Sequence, residues 1–265
     1  MQKVFALILE LAVFLSSSGQ YNTILNKFYS KNVKDSFELY ISSPGNYTKQ
    51  AKYDIVYYCD ANLKSGKKLR ELISGNQELS QNRKIIFVGI GHIGDYHVLR
   101  RRDFILPFIV KGDTLPKSGN YGHIQDFYKF LNTELFPAIE PVYNFSGRRS
   151  IIGHSLGGLF VFYCLFRNEG IFTDYFALSP ALWIDGYEIY HFNNIKNSLD
   201  IKSYLYLSAG SRENLNHILK GADQMNNFLK RKNYKDLDFE YKVHYGKTHN
   251  TQVLESLKYI LQKLL

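Results

Sequence analysis

The chain carries a serine in the motif G-x-S-x-G, at residues 153–157. An apolar run at residues 150–152 precedes the motif, and a helix-like apolar run at residues 159–166 follows it. This context predicts a sharp strand-to-helix turn that exposes the Ser155 hydroxyl as a nucleophile. The Leu156 N–H would lie at the helix N-terminus and would be a candidate donor to an oxyanion. The alternative is an ordinary glycine-rich turn with a buried serine.

A base must accept the proton of a serine hydroxyl before the oxygen is strongly nucleophilic. For a nucleophile on such a turn, the usual chain order is serine, acid, histidine. His249 fits the base, because it lies between a predicted strand that ends near Val243 and the last predicted helix. His217 falls within a predicted helix, and His244 lies near a strand end, where we expect a packed or solvated side chain.

The acid that would orient His249 has more than one candidate. Glu213 follows the predicted strand at residues 204–208 and could hold the imidazole. Asp185, on the preceding loop, is the rival carboxylate. A third alternative is that no acid contacts the histidine and that the pair works as a dyad.

A second oxyanion donor is expected from the loop after an early strand. The run at residues 55–58 is followed by Asp60 and Ala61, and a backbone N–H of either could face that of Leu156. One such donor is worth roughly 3 kcal/mol in the transition state. The Asp60 side chain is expected to cap or brace the turn.

The elements that position these residues alternate between strand and helix. Strands are predicted at residues 37–41, 55–59, 85–90, 149–152, 175–179, 204–208 and 239–243, and helices at 124–139, 156–167, 217–230 and 251–265. Four strands are nearly continuous apolar runs, as in strands buried on both faces. The fold class is therefore α/β, with a mostly parallel central sheet and helices on both faces. The ligand site should lie at the carboxyl ends of the strands.

Composition predicts one catalytic domain over residues 20–265. The chain has 265 residues, of which 45% are hydrophobic, without a linker or repeat. The formal net charge is +9, spread along the chain apart from a cluster at residues 100–102, and no nucleic-acid module is present. Cys59 and Cys164 lie in apolar runs and are expected to be buried free thiols. Metal-ligand spacing is absent, so neither a metal nor a cofactor is predicted.

The N-terminus resembles a secretory signal peptide over residues 1–19. A short positive region is followed by an apolar run and by small residues, although Glu10 interrupts the run and no A-x-A site is present. The run is too short for a stable membrane span. Export to the periplasm or medium is the expectation, and an amphipathic N-terminal helix of a cytoplasmic protein is the alternative.

Several segments together resemble the esterase family of α/β-hydrolases that includes siderophore (enterochelin-type) esterases, feruloyl esterases and S-formylglutathione hydrolases. The resembling segments are residues 40–47, 56–62, 88–91, 100–107, 130–140, 152–158 and 177–183. The segments at 100–107 and 177–183 are most similar to the siderophore-esterase branch. The chain departs from the family at residues 119–123, before the helix predicted to begin at Ile124.

The resemblance implies an α/β-hydrolase fold in which Ser155 is the nucleophile and His249 the base. It implies ester cleavage through an acyl-enzyme, without metal or cofactor. It also suggests that a loop bearing Arg102 borders the site and binds an anionic substrate, the alternative being a structural ion pair with Asp103. Trp183 could line an aromatic pocket or belong to the core.

These observations predict a serine carboxylester hydrolase that acts on a small-molecule ester. An acyltransferase with the same residues is the enzyme alternative, and a degenerate hydrolase used as a binding module is the non-enzyme alternative. The oligomeric state is left open.

Overall fold

A computed structural model describes residues 20–107, 121–213 and 215–265. Its eight strands form one sheet in the order β1-β2-β4-β3-β5-β6-β7-β8. The strands are β1 Tyr21–Ser30, β2 Asp35–Pro44, β3 Tyr53–Cys59, β4 Ile85–His92, β5 Phe145–His154, β6 Asp174–Leu178, β7 Ser198–Gly210 and β8 Lys235–His244. The pairings of β2 with β1 and with β4 are antiparallel, and all others are parallel. The mostly parallel sheet predicted from the sequence is therefore confirmed.

Eight α-helices connect or flank the strands of the described chain. They are α1 Lys64–Ser74, α2 Gln77–Asn82, α3 Tyr96–Phe104, α4 Ile124–Phe130, α5 Phe136–Ile139, α6 Leu156–Arg167, α7 Lys220–Lys232 and α8 Gln252–Leu264. A π-helical turn, Leu131–Leu135, joins α4 to α5, and another, Leu215–Leu219, precedes α7. A 3₁₀ segment, Ile184–Phe192, follows β6.

The sheet has an apolar core on each face. One core packs α4 and α6 against side chains such as Ile55, Tyr57 and Ile151. The other packs α1 and α8 against alternate residues of the same strands, such as Val56 and Ile152. Because successive side chains of a strand point to opposite faces, the apolar runs of β3, β4, β5 and β6 supply both cores. Helix α6 is buried at every position from Leu156 to Phe166 and lies against the centre of the sheet.

The carboxyl ends of four neighbouring strands meet at one edge of the sheet. His154 of β5 pairs with Leu178 of β6, which pairs with Ser208 of β7. Gly210 of β7 pairs with His244 of β8. The loops that follow these strands therefore lie side by side, and the chain segments that bear Ser155, Glu213 and His249 begin there.

Four elements were missed by the sequence patterns. The edge strand β1 alternates buried and exposed residues, and its outer face includes apolar side chains such as Leu25. The helices α1 and α2 are rich in polar residues, so their apolar faces are short. The segment bearing Arg100, Arg101 and Arg102 is predicted as a loop, but it forms helix α3, capped by the Asp95 side chain on the N–H groups of His97 and Val98.

Two features of the sequence fall outside the described residues. They are the signal-like segment at residues 1–19 and residues 119 and 120 of the loop that departs from the esterase pattern. Among the helices of the described ranges, none has the length and apolar character needed to cross a membrane.

Candidate active site

Ser155 lies at a strained turn between β5 and α6. Its backbone has φ 60° and ψ −116°, which are angles that residues other than glycine rarely adopt. The Ser155 N–H donates to the Leu178 carbonyl at 2.9 Å, and the Ser155 carbonyl accepts from the N–H of Leu159 at 3.1 Å and of Ala181 at 2.9 Å. These bonds fix the strained backbone to the end of β6 and to the first turn of α6.

The glycines of the motif are required by close backbone approach. A Cβ on Gly153 would lie 2.1 Å from the Gly157 carbonyl oxygen, which no side chain can tolerate. A Cβ on Gly157 would lie 3.1 Å from Cys59 Cβ and 3.3 Å from Asp60 Oδ2. The turn after β3 therefore packs directly against the N-terminus of α6, as expected for the two halves of an oxyanion site.

His249 and Glu213 are in direct contact. The His249 Nδ1 lies 2.9 Å from Glu213 Oε2, and the Glu213 side chain is fully buried while that of His249 is 32% exposed. Glu213 Oε1 also accepts from the Ser179 hydroxyl at 2.5 Å and from the Gly210 N–H at 2.5 Å. Since a carboxylate only accepts, Nδ1 of His249 donates in this bond, and in the neutral imidazole Nε2 is the acceptor. The structure brings together the acid and base candidates of the sequence.

The loops that bear these two residues are bonded to each other. The Ser211 N–H donates to the His244 carbonyl at 3.1 Å, the Arg212 N–H donates to the Lys247 carbonyl at 2.9 Å, and the Gly246 N–H donates to the Ser211 hydroxyl at 2.7 Å. These bonds hold the two loops together beside the contact between Glu213 and His249.

His244 and His217 lie elsewhere, as the sequence predicted. His244 Nε2 packs at the end of β8 against the hydroxyls of Tyr206 at 3.1 Å and Ser256 at 3.0 Å. Burial is the largest cause that lowers the pKa of His244. His217 lies in the π-helical turn before α7.

The residue before Ser155, His154, contacts His249 directly. The Nε2 of His154 is 3.0 Å from the His249 carbonyl oxygen, and the two imidazole rings have centroids 4.4 Å apart. Within the described part of the chain, the Ser155 hydroxyl has no hydrogen-bond partner, so the Ser155–His249 bond is not formed in this geometry. Such bonds are commonly long before substrate binds.

The turn after β3 is braced by an arginine from helix α3. Asp60 is 1% exposed and has φ 59°, and its carboxylate accepts two bonds from Arg100, at 2.7 Å and 2.9 Å. Arg100 Nη2 also donates to the His154 carbonyl at 3.3 Å. The Asp60 side chain therefore braces the turn, as predicted, and the same guanidinium reaches the end of β5 at His154, directly before Ser155.

The Ala61 N–H is not available as an oxyanion donor, contrary to the prediction. It donates to the Ile90 carbonyl at 3.0 Å, and the Ala61 carbonyl accepts from Arg70. These bonds anchor the turn to β4 and α1. By contrast, in the described ranges the N–H groups of Asp60, Asn62 and Leu156 donate to no backbone carbonyl. Asn62 is a candidate that the sequence did not single out.

Arg102 forms an ion pair with Asp103, which the sequence analysis gave as the alternative to substrate binding. Its guanidinium donates twice to Asp103, at 2.7 Å and 2.9 Å, and once to Asp35 of β2, at 2.8 Å. The side chain is 12% exposed, and that of Asp103 is fully buried. Both carboxylates raise the pKa of Arg102, against the effect of burial. The prediction that Arg102 binds substrate is therefore wrong in this geometry.

Trp183 lies beside the site at the surface. It is 38% exposed, and its ring contacts that of His217 at a tilt of 34°, with centroids 4.8 Å apart. It follows Ala181, whose N–H holds the Ser155 carbonyl. The position suits a wall of a substrate pocket, as the sequence proposed. The side chain of Asp185, the rival acid, lies outside the described part of the structure.

The two cysteines are buried free thiols, as predicted. Burial raises the pKa of Cys59 and of Cys164 well above the ordinary value, which keeps both unreactive. Among the described residues there is no cluster of three or more histidine, cysteine or acidic side chains that could hold a metal ion.

The chain is similar in sequence to known esterases. The chain is 31% identical over 164 residues to the ferri-bacillibactin esterase BesA of Bacillus subtilis, covering 58% of this chain and 56% of that protein. The chain thus spans about half the length of the curated relatives that it matches.

Solved structures match over nearly the whole chain. The BES protein from Bacillus cereus has a TM-score of 0.79 and 25% identity, covering 95% of this chain and 97% of that one. An IroE-like serine hydrolase from Shewanella oneidensis has a TM-score of 0.77 and 23% identity, covering 91% and 79%. The fold is the α/β-hydrolase fold that the sequence predicted.

A family model described as "Putative esterase" matches residues 30–257, from the end of β1 into α8. That range holds every candidate of the site, and the chain belongs to this esterase family.

Proposed function

We propose that this chain is a serine carboxylester hydrolase in which Ser155, His249 and Glu213 form a catalytic triad. The observation that carries the proposal is the bond between buried Glu213 and His249, formed beside the strained turn that bears Ser155. Membership of the esterase family and the names of the relatives support the reaction class.

In the proposed mechanism the first step makes an acyl-enzyme. The Ser155 oxygen forms a bond to the ester carbonyl carbon as its proton passes to Nε2 of His249. Glu213 holds the imidazole by Nδ1 and stabilises the imidazolium that forms. The carbon–oxygen bond of the leaving alcohol then breaks, and His249 returns the proton to that alcohol. Water repeats the sequence, releases the acid and restores Ser155.

The oxyanion of each tetrahedral intermediate would be bound by backbone donors. The Leu156 N–H starts helix α6, so the helix dipole adds to its hydrogen bond. The second donor comes from the turn after β3, where the N–H groups of Asp60 and Asn62 donate to no backbone carbonyl in the described ranges. The bonds between Arg100 and Asp60 hold this turn in place without taking up those N–H groups.

The proposed substrates are ester-linked siderophores. This part of the proposal rests on the names of relatives, which include a ferri-bacillibactin esterase and fungal siderophore esterases. Trp183, which contacts His217 next to the Ser155 turn, supplies an exposed aromatic surface that suits a planar aromatic group of such a substrate.

An ester panel measured with the purified protein tests the proposal. The panel would hold p-nitrophenyl acetate, a feruloyl ester, an acetylated sugar and a ferric tris-catecholate lactone. We expect hydrolysis of p-nitrophenyl acetate, a higher kcat/KM on the siderophore, and a loss of more than about a thousandfold in Ser155→Ala on both. Full turnover by Ser155→Ala would contradict the triad, and a preference for the feruloyl or acetyl ester would contradict the substrate class.

A further inference from the structure

His154 is bonded to the backbone of the proposed base but lies outside the proposed triad. It is the last residue of β5, directly before Ser155. Its Nε2 lies 3.0 Å from the carbonyl oxygen of His249, 95 residues further along the chain. The two rings are also in tilted contact, with an interplanar angle of 36°. His154 therefore contacts both the main chain and the side chain of His249.

This contact determines which ring nitrogen of His154 carries a proton. A carbonyl oxygen can only accept, so Nε2 of His154 must carry a proton and donate it. Burial, followed by the nearby His249 and Arg100, lowers the pKa of His154 from 6.5 to about 3. The ring is therefore neutral at pH 7 and does not oppose the positive charge that forms on His249.

The bond from His154 joins the loop that bears His249 to the segment that bears Ser155. The loop that bears His249 is anchored to the Glu213 loop, and so to β7 and β8, but Ser155 belongs to β5 and α6. The bond from His154 to the His249 carbonyl is a direct link between these two halves of the site. The main-chain carbonyl of His154 accepts a hydrogen bond from Arg100 Nη2 at 3.3 Å.

We infer that His154 is a positioning residue, whose Nε2–H fixes the main chain of His249 so that the base faces Ser155. This inference rests on the proposed function, since it assigns His249 the role of base. It adds a constraint on the main chain of His249, whose side chain is already held by Glu213. A displacement of about 1 Å between reacting groups can cost a hundredfold in rate.

Two substitutions of similar size separate a hydrogen bond from mere packing. His154→Gln keeps an N–H donor at a similar distance from the backbone, whereas His154→Met has none. We expect His154→Met to lower kcat on p-nitrophenyl acetate by about 10- to 100-fold with KM within about twofold. The rate of labelling by a fluorophosphonate should fall in parallel, and His154→Gln should recover most of both losses. Equal kcat and labelling rates in the two variants would overturn the inference.

A measurement on the unaltered protein covers the case in which His154→Met does not fold. Long-range ¹H–¹⁵N correlation spectra at pH 7 report which ring nitrogen of each histidine carries the proton. The signal missing from His154→Gln identifies His154, and we expect its proton on Nε2. A proton on Nδ1 would overturn the inference.

The two proposals fail in different ways. If the fluorophosphonate does not label Ser155 in the unaltered protein, the proposed function fails, whatever the tautomer of His154. If Ser155 is labelled and His154→Met reacts as fast as the unaltered protein, the proposed function stands and only the positioning role fails.

Discussion

Arg100 and Arg102 lie two residues apart on helix α3, and both form buried ion pairs, but only one pair touches the proposed site. Arg100 binds Asp60 and the strand end before Ser155, and we call this the inner pair. Arg102 binds Asp103 and reaches Asp35 of β2, and we call this the outer pair. Residues i and i+2 of a helix point away from each other, so one helix serves the site with one face and the sheet with the other. A cluster of charged residues in a sequence therefore indicates little about function until it is known which face of the helix each residue occupies.

The strongest test of the inner region is Glu213→Gln. The amide offers its own N–H where His249 must donate, so the histidine loses its orientation and its required tautomer. We expect kcat on p-nitrophenyl acetate to fall by about 10²- to 10⁴-fold with a small change in KM. Glu255→Gln is the matched control, because Glu255 pairs with Lys247 on the His249 loop but is 35% exposed and does not contact His249. A similar loss in both variants would contradict the role of Glu213.

The inner pair is tested by Asp60→Asn. The substitution leaves the Arg100 side chain, which is 14% exposed, without its opposite charge. We expect a loss of about 3 kcal/mol in the free energy of unfolding, because a buried charge is left unpaired. Because the same turn would supply the proposed second oxyanion donor, kcat per folded molecule should also fall, by about tenfold. Urea unfolding and steady-state kinetics measure the two effects, and unchanged kcat would remove the turn from the mechanism.

Substitution of the outer pair should lower the free energy of unfolding and leave kcat unchanged. Arg102→Gln leaves the buried Asp103 with His92, 3.0 Å away, as its remaining partner. We expect a loss of about 3 kcal/mol in the free energy of unfolding. In Arg101→Gln, which alters an exposed arginine whose guanidinium contacts Tyr121, the change should stay within about 0.5 kcal/mol. Both variants should keep kcat per folded molecule, and a drop in kcat for Arg102→Gln would place the outer pair in the site after all.

The effect that is smallest near neutral pH concerns the pH dependence of stability through His154. Its pKa is about 3 in the folded chain and 6.5 when exposed, so the unfolded chain binds the extra proton between these values. Stability from this group is therefore complete above pH 6.5 and is lost as the pH falls toward 3, by at most about 1.4 kcal/mol per pH unit. Urea unfolding at several pH values should show a shallower decline for His154→Gln than for the unaltered chain. Parallel curves would mean that His154 is not held neutral.

The nucleophile, base and acid candidates could be predicted because each follows a strand with a clear apolar pattern. Strand order then places Ser155, Glu213 and His249 at one edge, and the bond from Glu213 to His249 agrees with that prediction. The same logic predicted both cores, since buried strands read as continuous apolar runs.

The errors come from partners that are distant in the chain. Ala61 is excluded as a donor by Ile90, and Arg102, besides the adjacent Asp103 that the sequence offered as its alternative partner, is bound by Asp35, 67 residues away. No local pattern indicates such bonds, because they depend on which strands become neighbours. The missed helix α3 has the same origin, since its apolar residues are few and its arginines find partners only in the folded chain.

The most direct test of the central claim is the site of covalent labelling by a fluorophosphonate, which forms a stable bond to an activated serine. We predict that intact mass spectrometry will show one adduct per chain, that peptide mapping will place it on Ser155, and that Ser155→Ala and His249→Ala will remain unlabelled over the same time. An adduct on another residue, or equal labelling of Ser155→Ala, would contradict the account.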